Sequence, residues 1–294
     1  MKEFLFKRVT IIGFGLIGSS LARAISENDL AEEIICADHN TETCEAVLEL
    51  GLARQATQDI AAAVEGADLV VICTPLGTYA EIGHMIAPHL GENCIVTDVG
   101  SAKAGVMTAL KSVLPEHIPF VPGHPIAGGE KSGPRAGDGH IFQNRWCILT
   151  PSKGTSRIAV DKVAELWRSC GMMVEEMEAA HHDRVLAITS HVPHLIAYTI
   201  VYTATELQED ARAEVIKFSA GGFRDFTRIA ASNPVMWRDI FLNNRESVLE
   251  MLQRFSEDLT NLQKAIRKGD GDALERMFTV TRDIRRKIID ARQA

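Results

Sequence analysis

Apolar and polar positions change their rhythm once along this chain, near residue 179. Before that point, short apolar runs alternate with amphipathic stretches. The runs cover 9–12, 34–37, 69–73, 94–97, 120–121, 146–149 and 173–177. Several are continuously apolar and rich in β-branched residues, which predicts strands buried on both faces. Helical spacing fills 16–28 and 42–50. Strands alternating with helices predict an α/β domain over 1–178, a Rossmann-type, doubly wound, mostly parallel sheet. After residue 179 almost no β-type run occurs, and helical spacing is broken only by Gly221-Gly222, Asn233-Pro234 and Gly269-Asp270-Gly271-Asp272. An all-helical second domain over 179–294 is expected. Within it Val248, Leu252, Phe255, Leu259, Leu262 and Ile266 repeat at 4-3-4-3-4 spacing. Such a narrow stripe suits either an internal core face or the seam of a homodimer.

Length agrees with two domains: 294 residues against a norm of about 150 per domain. Charge narrows the partners. A net charge of −8 leaves no basic excess to displace counterions from nucleic acid. It also means that an anionic substrate needs a local arginine cluster. The cysteines at 36, 44, 73, 94, 147 and 170 form no C-x-x-C, so neither a zinc knuckle nor a disulfide framework is indicated, and a reducing cytoplasm is the expected compartment. Lys7 and Arg8 precede an apolar stretch that superficially resembles a signal peptide, but its glycines follow a different logic. The longest segment without Asp, Glu, Lys or Arg, 185–205, contains His191, Pro193, His194 and four threonines. That is too polar for a membrane span and reads as a buried helix carrying functional groups.

The glycines are Gly13, Gly15 and Gly18, a G-x-G-x-x-G that follows a strand and opens a helix at Leu16 and Ile17. A second strand ends at Asp38, twenty residues after Gly18. In that context the first glycine permits a tight turn, the second lets a pyrophosphate approach, and the third lets helix and strand pack closely. The helix N-terminus supplies N–H donors. Asp38 accepts from both ribose hydroxyls and repels a 2′-phosphate, and His39 and Asn40 offer no arginine to capture one. NAD is therefore the expected cofactor.

Ligands of open α/β sheets sit beyond the carboxyl ends of the strands. Three such ends carry Thr74-Pro75, Ser101 and His124. His124 lies between Gly123 and Pro125, which excludes a mid-helix position and suits proton transfer. Along a helix over 180–205, Asp183, Ser190 and His194 fall within about 40° of one another at 100° per residue. Pro193 is expected to kink that helix and free a carbonyl, and His191 points elsewhere, as a structural histidine. Downstream, Arg224 and Arg228 lie one helical turn apart if helical, and paired arginines suit carboxylates.

These segments together, GFGLIGSS (13–20), DVGSAK (98–103), GHPIAGGEKSG (123–133), SHVPH (190–194), GGFRDFTRIA (221–230) and PVMWRD (234–239), resemble the prephenate/arogenate (cyclohexadienyl) dehydrogenase family of tyrosine biosynthesis. The resemblance spans nearly the whole chain. It implies oxidative decarboxylation: hydride leaves C4 of the substrate ring, a base takes the hydroxyl proton, CO2 departs and the ring aromatises, with no metal. By the same resemblance, His124 accepts the hydroxyl hydrogen bond, and Ser101 orients His124 and touches the nicotinamide region. Arg228 holds a carboxylate of the substrate, His194 and Ser190 line the side-chain end of the pocket, and Glu130 gates substrate choice. Arg224 stands where some relatives carry lysine, and Gly129 where some carry a bulkier residue. No mutase segment before the glycine motif and no regulatory domain after the last helix are expected. Two other readings are carried forward, a hydroxyacid dehydrogenase without decarboxylation and a non-enzymatic NAD(H)-binding protein.

Overall fold

A computed structural model describes residues 4–129, 131–206, 217 and 221–290. Six strands, β1 (Phe6–Ile12), β2 (Ala31–Ala37), β3 (Gln55–Thr57), β4 (Leu69–Ile72), β5 (Ile95–Asp98) and β6 (Phe120–Val121), form one sheet in the order β3-β2-β1-β4-β5-β6. Every pairing in it is parallel. The order reverses between β1 and β4, so the loops leaving these two strands part there, the place where such sheets take ligands. The continuous apolarity of β4 has the predicted cause, since all four of its residues are buried.

The runs at 146–149 and 173–177 do not join this sheet. They form β8 (Trp146–Leu149) and β9 (Met173–Glu176), which pair in parallel, while β8 pairs antiparallel with β7 (Gly123–Pro125). Sequence reading misses β7 because Gly-His-Pro carries no strand signal. The chain leaves the large sheet at Val121 and enters the small one two residues later. A Cβ on Gly123 would lie 3.0 Å from the Asp98 carbonyl oxygen, so this close passage needs glycine.

Helices α1 (Leu16–Glu27), α2 (Thr41–Glu49), α3 (Ile60–Val64), α4 (Tyr79–Ile86), α5 (Ala104–Lys111) and α6 (Arg157–Ser169) connect the strands. One buried cluster joins α1 and α6 to the sheet, with Phe142 and Trp167 in edge contact. The other covers the opposite face through α4 and α5, and it also takes in Trp237 and Ile240. Those two residues belong to a later helix. The remaining helices are α7 (Ala179–Leu186), α8 (Val192–Thr205), α9 (Gly221–Thr227), α10 (Pro234–Asn243), α11 (Arg245–Lys268) and α12 (Gly271–Asp290). Among the described residues after 179, none is in a strand. Asn233 caps α10 by accepting from the N–H groups of Val235 and Met236, the ordinary work of an asparagine before proline.

By compactness the chain divides after Arg245, because α10 packs into the core beside the large sheet. In the unit from Glu246 onward, Val248 is buried, but Leu259 and Ile266 of the predicted stripe are exposed, as are Phe278, Val280 and Ile284 of α12.

One buried ion pair fixes the carboxyl end of the large sheet. Lys103 and Asp98 are both fully buried, with Nζ 2.5 Å from Oδ2. The same Nζ donates to the Gly123 carbonyl at 2.6 Å, while Asp98 accepts from the N–H groups of Gly100 at 2.8 Å and Gly123 at 3.1 Å. Burial lowers the Lys103 pKa, and the Asp98 charge works against that shift. Removing one member strands the other in a dry site. Lys103→Met is therefore expected to cost about 3–5 kcal/mol, read as a lowered urea midpoint; an unchanged midpoint would show that Asp98 is satisfied by the backbone alone.

Candidate active site

The glycine loop follows β1, and each glycine meets a distinct constraint. Gly13 has φ +92°, and a Cβ there would lie 2.8 Å from Thr74 Cγ2. A Cβ on Gly18 would collide with the Gly13 carbonyl oxygen, whereas around Gly15 nothing lies within 4 Å. The first and third glycines are thus required by the fold, and the second keeps a cradle open. Gly15 precedes α1 without a side-chain cap. No described group accepts from the N–H of Leu16, Ile17 or Gly18. Unpaired N–H groups at a helix start, facing a gap that a side chain would fill, fit a pyrophosphate.

Asp38 lies at the end of β2, buried, and ties this loop down. Its Oδ2 accepts from the Phe14 N–H at 2.8 Å and its Oδ1 from the Asn40 N–H at 3.0 Å. Each carboxylate oxygen retains acceptor capacity for a ribose hydroxyl. Thr74 and Pro75 follow β4 across the switch point, where Thr74 Oγ1 lies 2.8 Å from Thr78 Oγ1. Gly129 returns over the loop: its Cβ would lie 3.5 Å from Leu16 Cδ2. The segment carrying His124 and the glycine loop are therefore neighbours. These residues fit NAD.

His124 sits in β7, buried to 8% exposure. Its Nδ1 lies 2.8 Å from Nε2 of His182, and His182 Nδ1 lies 2.8 Å from Asp183 Oδ1. Asp183 also accepts from the backbone N–H groups of Lys103 at 2.8 Å and Ala104 at 2.9 Å, at the start of α5. Burial works to raise the Asp183 pKa, but the hydrogen bonds from His182, Ala104 and Lys103 hold it below the usual carboxylate value. Burial also depresses the His182 pKa, against the pull of Asp183, and depresses His124 well below the usual histidine value, with the charges of His182, Lys103 and His191 adding. Both rings are thus neutral near pH 7.

His182 is the residue that sequence reading missed. Its only signal is the run His181-His182-Asp183. Ser101 was the expected orienter of His124, but among the described residues no hydrogen bond joins them, and the ring contact is made by His182. Asp183 was expected on one face with Ser190 and His194; instead it is turned onto α5.

The reason lies in the helix. A π turn over Ala187–His191 separates α7 from α8, so a uniform 100° per residue does not apply. Pro193, at the start of α8, has no N–H to continue an α-type ladder. The expected freed carbonyl is partnered: Ser190 O accepts from His194 Nδ1 at 2.9 Å. A carbonyl only accepts, so His194 carries its proton on Nδ1 and presents Nε2 as an acceptor. The His194 ring stacks on Trp237, with centroids 3.6 Å apart. Burial lowers the His194 pKa, the Ser190 carbonyl opposes this, and the Arg228 charge adds to it. Arg228 begins the short 3-10 turn Arg228–Ala231, while Arg224, in α9, is exposed beside Asp225. His191 is fully buried, its Nδ1 3.0 Å from the Asn244 amide nitrogen, and burial pushes its pKa down to about 4. Its charge would bear on His124, and that of His194 on it, so His124, His182, His191, His194 and Arg228 form one electrostatic neighbourhood. Glu130 lies outside the described residues.

A parallel sheet with an open glycine cradle at its switch point defines a dinucleotide-binding protein, with the buried His124, His182 and His191 beside that cradle. Comparison with known proteins gives the family. Residues 21–176 match the model for the prephenate dehydrogenase nucleotide-binding domain, and residues 178–280 match that for the prephenate dehydrogenase dimerization domain. A cyclohexadienyl dehydrogenase of Zymomonas mobilis is 41% identical over 93% of this chain and 93% of its own length. The prephenate dehydrogenase of Bacillus subtilis is 36% identical over 94% of this chain and 75% of its own. The crystal structure of prephenate dehydrogenase from A. aeolicus in complex with hydroxyphenyl propionate and NAD+ superimposes with a TM-score of 0.89 at 34% identity, covering 98% of this chain and all of that one. The chain belongs to the prephenate dehydrogenase family.

The glycine geometry makes a test that separates binding from folding. Gly15→Ala is expected to leave the melting temperature nearly unchanged and weaken NAD binding at least ten-fold by calorimetry, because the methyl enters open space that the cofactor needs. Gly18→Ala is expected to lower the melting temperature itself. Unaltered NAD affinity in Gly15→Ala would remove that cradle from the cofactor site.

Proposed function

We propose that this chain catalyses the NAD-dependent oxidative decarboxylation of prephenate to 4-hydroxyphenylpyruvate, and/or of arogenate to tyrosine. The observation that carries the reading is the state of His124. His182 is neutral and donates its Nδ1–H to Asp183, so its Nε2 is an acceptor. His124 therefore donates from Nδ1, and its own Nε2 keeps a lone pair. A neutral acceptor held rigidly beside a dinucleotide cradle is what removal of a hydroxyl proton requires.

Gly13, Gly15, Leu16, Ile17, Gly18, Asp38, Thr74 and Pro75 hold NAD, which supplies the hydride acceptor. His124 Nε2 takes the proton of the ring hydroxyl. The C4 ketone so formed is conjugated with both ring double bonds, which makes the ring carboxylate that of a vinylogous β-keto acid, and loss of CO2 aromatises the ring without a metal. Arg228 binds a carboxylate, for which a guanidinium fork is suited, with Arg224 as a further cation. His194, fixed by Ser190 O and Trp237, lines the side-chain end with Ser190. Ser101 faces the nicotinamide region, and Glu130 gates substrate choice.

Depressed basicity gives the pH dependence its sign. His124 must be neutral to accept a proton, and its pKa lies well below 6.5. Activity is thus retained as pH falls through 6.5 and lost only when pH falls through the lowered value. The assay supplies prephenate and NAD and measures NADH and CO2 together. Equal yields are expected in the wild type, and His124→Asn is expected to lower kcat by about 10²–10⁴ with NAD affinity kept. NADH without CO2 would favour a simple hydroxyacid dehydrogenase, and no turnover of prephenate, or of arogenate supplied in its place, would leave a binding protein.

The division into domains 1–178 and 179–294 is part of this proposal, supported by the break between the two matched family models at 176 and 178. So is a cytoplasmic homodimer. Its support is six unbridged cysteines, the exposed apolar residues of α11 and α12, and the dimerization model over 178–280. Sedimentation at micromolar concentration is expected to give twice the chain mass, and Leu259→Glu with Ile266→Glu to give a monomer. A wild-type monomer would overturn the dimer.

A further inference from the structure

The mechanism as stated uses one nitrogen of His124 and leaves the other bonded to a second buried histidine, which is itself bonded to a buried carboxylate. We propose that His182 and Asp183 form a proton relay behind His124: they fix the tautomer that leaves Nε2 basic, and they take the charge that proton abstraction creates. This rests on the reading of His124 as the base.

The geometry is continuous. Asp183, His182 and His124 are linked by two contacts of 2.8 Å, and all three are buried. The carboxylate end is anchored by the N–H groups of Lys103 and Ala104, so Asp183 has no freedom to turn away. The other groups near the two rings are fixed as well: Lys103 is paired with Asp98, His191 is bonded to Asn244, and Cys147 lies in β8 opposite Pro125.

The proton balance is simple. The O–H bond of the substrate breaks and a bond to His124 Nε2 forms. The proton on His124 Nδ1 crosses to His182 Nε2, whose Nδ1–H stays on Asp183. His124 ends neutral with its proton on Nε2, and the imidazolium is His182, in contact with a carboxylate. Without the crossing, the positive charge would remain on His124, whose neighbours include the Lys103 charge and no carboxylate bond of its own. A charge in a low-dielectric site is stabilised far more by a contact ion pair than by distant groups. His182 is thus a positioning residue that never touches substrate. A buried histidine oriented by a carboxylate, with the wrong tautomer costing activity, is a known pattern in other enzymes.

The test uses His182→Leu and His182→Gln in the full-length protein. Nitrogen-15 NMR of the histidine rings, without substrate, reads the His124 tautomer directly. Wild type is expected to show Nδ1–H and bare Nε2. His182→Leu is expected to lose that preference and to lower kcat about 100-fold or more, within the range for general-base loss, with KM for NAD within three-fold. His182→Gln keeps an acceptor for Nδ1–H but cannot take the proton. It is expected to keep the tautomer, to recover only part of kcat, and to turn a curved solvent-deuterium proton inventory of the hydride-transfer step into a linear one. An unchanged tautomer in His182→Leu, or a linear inventory in wild type, overturns the relay. If His182→Leu does not fold, the Gln variant decides: a curved inventory in it overturns the proposal. Should His124→Asn retain full kcat while the tautomer still depends on His182, the base assignment fails and the orienting contact stands.

Discussion

The buried pair of Asp98 and Lys103 is the constraint on which the site depends. It fixes the two sheets where Pro122 connects them along the chain, beside the apolar cluster in which Cys147 and Leu149 of β8 pack with Val9, Val71 and Val121 of the large sheet. Asp98 ends β5, Lys103 precedes α5, and Gly123 opens β7, so one carboxylate and one ammonium hold three elements in register. Charges this deep are tolerated only because each is met by its counterion and by backbone groups. The backbone N–H groups of Lys103 and Ala104 then hold Asp183, and through it His182 and His124. A single buried cluster thus passes from sheet to helix to His124.

The electrostatics of the site are local and opposed to those of the chain. The protein carries −8, but His124, His182 and His191 are kept neutral by burial. The Arg228 charge, at the turn Arg228–Ala231, bears on His194.

The break in the helix over 179–205 is the other device. An uninterrupted helix would have set Asp183, Ser190 and His194 on a shared face. With the π turn and Pro193 between them, the first part of the helix presents Asp183 and His182 to α5 and β7, and the second presents His194 to Trp237. Two separate tasks are thereby assigned to one continuous apolar segment, and the carbonyl released at the break orients His194.

Much of this was legible in the linear chain. Buried parallel strands announce themselves as continuous apolar runs, and Gly13, Gly15, Gly18 and Asp38 sit at spacings imposed by local backbone geometry. His124 was singled out because it follows a strand end of the sheet, between a glycine and a proline that exclude a mid-helix position. These are properties of neighbouring residues, so the sequence alone determined them. β7 escaped notice because its pairing with β8 involves residues more than twenty positions away and its own composition gives no strand preference. His182 escaped because its importance comes from a contact with His124, 58 positions earlier. The ring contact of His124 with His182 is of the same kind. Hydrogen bonds between buried side chains are set by which elements the core brings together, and local spacing carries no record of that choice. The periodicity of 179–205 likewise could not reveal its π turn, because a helical pattern is read by assuming the regular turn that Pro193 interrupts.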